Sequence, residues 1–129
     1  MRTYLEKKYS GKTIGKEGER VAALFLKSKG YKQVALNWFW KRGEVDLIFR
    51  QGKDLVFVEV KTRLEPGGEK IFDNVDSRKI RKLKSGKDSY LARYRVGAPI
   101  PNHRIDLIGV VLSRLDLEPL EIRHIISAL

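Results

Sequence analysis

The hydrophobic positions change period along the chain, and each change marks an element. From about Thr13 to Lys29, the residues Val21, Ala22, Leu24, Phe25 and Leu26 build one apolar face at helical spacing, and Gly30 stands where a C-terminal glycine cap belongs. Residues 33–40, Gln-Val-Ala-Leu-Asn-Trp-Phe-Trp, read as a strand. Two more strands, Glu44–Arg50 and Leu55–Arg63, flank Gln51-Gly52-Lys53-Asp54, a short hairpin loop. Residues 64–77, which include Glu65-Pro66-Gly67-Gly68, follow no period and predict a mobile surface loop. A second helix is expected from about Ser77 to Tyr94 on an interrupted stripe of Ile80, Leu83, Tyr90, Leu91 and Tyr94, weakened in its middle by Gly86. Beyond the loop 97–102, Arg104–Leu112 and Leu120–Ile126 read as strands. The order α-β-β-β-α-β-β predicts a mixed β-sheet flanked by helices, a single layered α/β domain over 13–129 behind a flexible basic arm at 1–12.

Length and composition narrow the chemistry. A chain of 129 residues can bury a core without staples, and with no cysteine it has neither disulfides nor thiolate sites. Two isolated histidines, His103 and His124, do not make a zinc cage. The N-terminus lacks the apolar core of a signal peptide, and no apolar run reaches the ~20 residues of a membrane span. A cytoplasmic protein with no membrane contact is expected. The net charge of +11 is clustered: residues 1–42 hold 11 basic and 3 acidic side chains, and residues 78–95 hold 8 and 1. Clustered Lys and Arg suit a polyanion such as nucleic acid, although a merely solvated basic surface has the same composition.

The third strand, Leu55-Val-Phe-Val-Glu-Val-Lys-Thr-Arg63, brings in specific chemistry. Alternation puts Val56, Val58 and Val60 on one face and Leu55, Phe57, Glu59, Lys61 and Arg63 on the other. The bland reading is a strand leaving the core at Val60, with Glu59 and Lys61 as a half-exposed ion pair. In the preceding strand, period two groups Glu44, Asp46 and Ile48 opposite Val45, Leu47 and Phe49. A hairpin would bring Asp46 close to Glu59, and two adjacent carboxylates repel unless a cation or proton lies between them. Hard divalent cations take carboxylate, water and phosphate oxygens. The acidic pair, the adjacent lysine and the basic surroundings are the parts of metal-assisted phosphodiester hydrolysis.

Asp46, a twelve-residue spacer and Glu59-Val60-Lys61 resemble the PD-(D/E)xK signature of the restriction-endonuclease-like superfamily, with Val45 in place of its proline. A fuller set resembles the YraN family of small bacterial proteins, itself similar to archaeal Holliday-junction resolvases. That set comprises Gly15-Lys-Glu-Gly-Glu19, Gly30-Tyr31, Asn37, Gly43–Ile48, Val56–Arg63, Lys79, Lys82-Leu83, Tyr90-Leu91, Arg104–Ile108 and His124–Leu129. The resemblance implies a restriction-endonuclease-like fold. It makes Asp46 and Glu59 ligands of Mg²⁺ or Mn²⁺, with the Val60 carbonyl a third, and gives Lys61 the attacking water or the transition-state charge. Glu19 resembles a helix-1 carboxylate that approaches the metal. Its alternative is a glutamate favoured by the helix dipole. Glu44 is held as a group beside the site or toward the substrate.

Among the other candidates, Arg63 and the helix-2 residues Arg78, Lys79, Arg81 and Lys82 are the expected phosphate contacts. Asp106 reads as a structural ion-pair partner. Trp38 and Trp40 share a strand face, for packing or, less simply, for base stacking. The expected function is a divalent-metal-dependent nuclease acting on DNA, including branched or structured DNA. The alternatives are a non-catalytic nucleic-acid-binding protein on the same fold, or a basic adaptor anchored by Trp38, Phe39 and Trp40. A homodimer suits a resolvase-like protein, but no symmetric interface is legible.

Overall fold

In a computed structural model, which describes residues 9–73, 75–94 and 97–129, the first helix α1 spans Gly11–Ser28. The Ser10 hydroxyl accepts from the Thr13 N–H as its N-cap. The helix therefore begins before the apolar period does, and Gly11 and Lys12 belong to it rather than to the arm. Residues 1–8 of that arm lie outside the described residues. At the other end, the Tyr31 N–H donates to the Leu26 carbonyl and the Gly30 N–H to that of Lys27. Gly30 adopts φ 90°, so this is the paired C-terminal cap that its glycine signalled.

Five strands follow: β1 (Lys32–Trp40), β2 (Gly43–Gln51), β3 (Asp54–Leu64), β4 (His103–Leu112) and β5 (Pro119–Ile125). They lie side by side in chain order. Neighbours are antiparallel except β3 and β4, which run parallel because the chain crosses between them through helix α2 (Ser77–Leu91). α1 covers one face, where Val21, Ala22 and Leu26 meet Leu47, Phe49, Val56, Val58 and Val60. α2 covers the other, where Leu83 and Leu91 meet Val45, Ile48, Leu55 and Phe57. The element order is the predicted one, and the single α/β domain with this mixed sheet is consistent with a restriction-endonuclease-like fold. No helix among the described residues is long and apolar enough to cross a membrane.

The structure corrects four local expectations. Residues 64–77 are not simply a mobile surface loop: a short 3-10 turn forms at Gly67–Lys70, and Ile71 is buried against Gly109 of β4. Gly86 does not weaken α2. It is buried, and a Cβ there would lie 2.9 Å from both the Val45 side chain and the Trp40 indole nitrogen, so glycine lets the helix settle on the sheet. α2 also ends at Leu91, short of Tyr94, although Tyr94 still packs on the same cluster.

The fourth correction shapes the site. Strict alternation fails in β1 and β2 at one rung, where the pairing of Leu36 with Leu47 and Trp38 with Val45 sets Asn37 opposite Asp46. Val45 packs with Ile48 on the α2 face, although period two opposes them, while Leu47 and Phe49 pack under α1. In β1, Ala35 and Trp38 both face α2. Asn37 holds φ 49°, a left-handed conformation that asparagine tolerates better than most residues. Both strands slip by one residue there, which separates Glu44 and Asp46 from Ile48.

Candidate functional site

The slip coincides with a parting of two strands. The β2–β3 ladder runs from Gln51–Asp54 to Leu47–Val58 and then stops. The next rung would pair Asp46 with Glu59, as the short hairpin predicted. Instead the Asp46 side chain enters the gap, and its Oδ2 accepts from the Val60 N–H at 2.9 Å. This carboxylate thus satisfies a backbone donor that the interrupted ladder leaves in the interior.

Three elements bring further charges to the gap. Carboxylate oxygens of Glu19 (α1), Glu44 and Asp46 lie within 4.8 Å of one another. Glu19 is fixed by the Asn37 Nδ2, which donates to its Oε1 at 2.9 Å. It is well beyond the first turn of α1, so the helix dipole does not account for it. Glu44 is exposed, yet its carboxylate joins the cluster rather than standing apart at the strand end. Gly18 holds α1 at this distance: a Cβ there would fall 1.8 Å from Thr62 Oγ1 of β3.

On the α2 side of the gap, Glu59 is buried and its Oε1 lies 3.2 Å from Lys79 Nζ. Its cation is therefore Lys79, not Lys61 as the bland reading supposed. Lys79 is in the first turn of α2, where its N–H donates to the N-cap Asp76. Lys61 is half-buried beside Lys79, close enough for the two amines to share a proton when one of them is neutral. Lys82 borders the same recess as Glu44, Asp46 and Glu59. Arg78 and Arg81 are exposed on α2, and Arg63 is half-buried near the end of β3.

These neighbours perturb each other's protonation. Burial, then the Glu59 charge, pushes the Asp46 carboxyl up to about 8 against the pull of the Val60 N–H. Burial, then the hydrogen bond and charge of Lys79, brings Lys61 down to about 8, opposed by Glu59 and Asp46. For Lys79 burial acts downward, but the hydrogen bond to Lys61 and the charge of Glu59 outweigh it and leave its pKa raised. Four carboxyl groups, of which Asp46 and Glu59 are buried, share the gap with Lys61 and Lys79. The convergent donors are all carboxylate oxygens, the set that hard cations such as Mg²⁺ or Mn²⁺ take. Asp46 with Glu19 and Glu44 fits such an ion better than the Asp46–Glu59 pair alone, since Glu59 already has Lys79.

Two candidates fall outside the site. Asp106 is buried in an ion-pair network as expected, accepting from Arg104 Nε (3.0 Å), His124 Nε2 (2.8 Å) and the Ser127 N–H (3.0 Å). His124 is thus the proton donor of an internal pair. Trp38 and Trp40 pack against α2, Trp38 edge-on to Tyr90 at 5.3 Å and Trp40 beside Gly86. Asn37 is a site residue to which sequence reasoning gave no role, although it belongs to the residue set that resembles the YraN family and stands out as an asparagine inside an apolar strand.

A mixed α/β domain whose central strands part around clustered carboxylates defines the class. The chain belongs to the uncharacterised protein family UPF0102, the YraN family, which it matches over residues 18–110. It is similar to UPF0102 proteins of Caldanaerobacter subterraneus (37% identical over 122 residues, 95% of this chain and 98% of that one) and Rhizorhabdus wittichii (41% over 96 residues, 74% and 78%). A UPF0102 protein of Thermotoga petrophila is 35% identical over 103 residues, 78% of this chain and 89% of that one.

Proposed function

We propose that this protein is a divalent-cation-dependent nuclease of the PD-(D/E)xK type that hydrolyses phosphodiester bonds in DNA, including branched or structured DNA. The observation that carries this reading is the Asp46 carboxylate. It is buried, tied to Val60, and crowded by Glu19, Glu44 and Glu59 in a chain of net charge +11. A binding module has no use for carboxylates that repel phosphate. A hydrolase does, because a bound Mg²⁺ or Mn²⁺ polarises the phosphoryl oxygen and lowers the pKa of water. In this reading Asp46 and its neighbouring carboxylates hold the cation, with Glu59 and the Val60 carbonyl as further ligands. Lys61 orients the attacking water or meets the charge that develops on the phosphate. Arg63, Arg78, Lys79, Arg81 and Lys82 hold flanking phosphates.

The Lys79–Glu59 pair favours a second reading, a nucleic-acid-binding protein without catalysis, since it occupies Glu59 without any metal ion. Incubating the protein with linear, nicked, flapped and four-way DNA under Mg²⁺, Mn²⁺ or EDTA separates the two. Metal-dependent cleavage that Lys61→Ala lowers by about two orders of magnitude, with affinity changed only a few-fold, supports the enzyme. Wild-type protein that binds these DNAs and cuts none with either metal leaves the binder.

A further inference from the structure

Phe39 is 72% exposed, while the tryptophans on either side of it turn inward against α2. It projects from the edge strand β1 and is paired in register with Glu44 of β2. It lines a cleft of about 440 Å³ together with Lys12, Gly15, Lys16, Glu19, Asn37 and Glu44, within the range of roughly 300–1,000 Å³ usual for small-ligand sites. The cleft therefore combines an aromatic face, contributed by Phe39 beside Glu44, with two lysines on α1. Glu19 and Glu44 of the carboxylate cluster line the same cleft. Lys12 and Lys16 are four residues apart, so they stand side by side on one helix face.

We infer that Phe39 is a stacking platform for an unpaired base, with Lys12 and Lys16 on the adjoining phosphates, so that DNA enters this site as a single-stranded segment. The inference rests on the nucleic-acid reading above and narrows it to a substrate form. An exposed phenyl ring offers a base no hydrogen bonds, only a face, and in a duplex the neighbouring bases already cover both faces. A flap, an open junction arm or a free strand leaves a face available. Phosphates favour Lys12 and Lys16, and none approaches Glu19 and Glu44 without a cation between. A second copy of the chain is the less suitable occupant. Two chains that each carry a net charge of +11 repel one another on approach.

The test uses the whole protein in EDTA, so that binding is read without cleavage. The probes are a short DNA strand carrying 2-aminopurine and the duplex of the same sequence. Wild-type protein should change the fluorescence of the single strand. Phe39→Ala should lower single-strand affinity roughly tenfold or more while altering duplex affinity less than twofold, and Phe39→Trp should retain binding. The side chain is exposed, so an unchanged melting temperature is expected for both variants. If wild-type protein binds DNA but Phe39→Ala weakens neither form, or both equally, the platform is overturned and the nuclease reading stands. If wild-type protein binds no DNA, both fall. A dimer in gel filtration that Phe39→Ala dissolves, with DNA affinity intact, identifies a protein contact and also overturns the inference.

Discussion

Asp46→Asn isolates the charge of the central carboxylate while keeping its shape and its bond, since an amide oxygen can still accept from the Val60 N–H. The Asp46 pKa is raised from 3.8 to about 8, chiefly by burial and then by Glu59. A folded-state pKa above the unfolded value means the folded protein binds a proton that the unfolded chain releases. That stability is present in full below about pH 4 and is lost as pH rises through about 8. At about 1.4 kcal/mol per unit, the gross cost of holding this group ionised in the metal-free fold is on the order of 5 kcal/mol. Without divalent metal, the variant should match wild type near pH 4 and exceed it at pH 8.5. A few kcal/mol corresponds to roughly 10 °C in melting temperature for a domain of this size. Adding Mg²⁺ or Mn²⁺ at pH 8.5 should raise the melting point of wild type far more than that of the variant. Thermal melts from pH 4 to 9 with and without metal provide the assay. A variant that is equally or less stable at pH 8.5 would refute the reasoning, because Asp46 would then be ionised and already balanced.

Asn37→Gly keeps the left-handed backbone but removes the donor to Glu19, so the fold should persist while metal affinity, read by titration calorimetry, falls roughly 10- to 100-fold. Gly18→Ala drives a methyl into Thr62 and should cost on the order of 1–3 kcal/mol in denaturant melts, relieved in part by Thr62→Ala, which removes the two nearest contacts. Asp106→Asn breaks the buried pairs with Arg104 and His124 and should cost about 3–5 kcal/mol. Burial alone would raise the Asp106 pKa, but the donors His124, Arg104 and the Ser127 N–H bring it below the ordinary value. Its contribution should thus be complete above about pH 4 and disappear on acidification through the lower folded value, so acid melts of wild type and variant should converge.

The legible parts of this fold are those fixed by local period and turn chemistry. Buried on both faces, β3 still alternates, because Val56, Val58 and Val60 pack under α1 while Leu55 and Phe57 pack under α2. The loop Gln51–Asp54, with Gly52 at φ 58°, sets a register that leads from Gln51–Asp54 toward Asp46–Glu59, so the approach of the two acids was readable from loop length. What was not readable depends on contacts between distant elements. Gly18 and Gly86 look like helix-weakening glycines until the sheet is placed against them. Ile71 stands beside Phe72 in a stretch with no period to mark which of them is buried. The pairing of Glu59 with Lys79 joins β3 to α2. The slip at Asn37 and Asp46 is invisible to any alternation rule, since it interrupts the period on which such rules rest.

That slip also bears on why the carboxylate is where it is. An end of a β-ladder inside the protein leaves a donor, here the Val60 N–H, that some side chain must satisfy. Asparagine, threonine or serine could do so without burying a charge. Asp46 does so at a cost in stability, and Glu19 and Glu44 raise that cost further by pushing its pKa the same way. Asn37 then holds Glu19 in place rather than letting it turn to solvent. A purely structural role would favour the neutral side chains and a relaxed Glu19. Below about pH 8 a proton on Asp46 relieves this crowding; on the nuclease reading a cation takes that proton's place, and this role is what separates that reading from a basic surface that only binds.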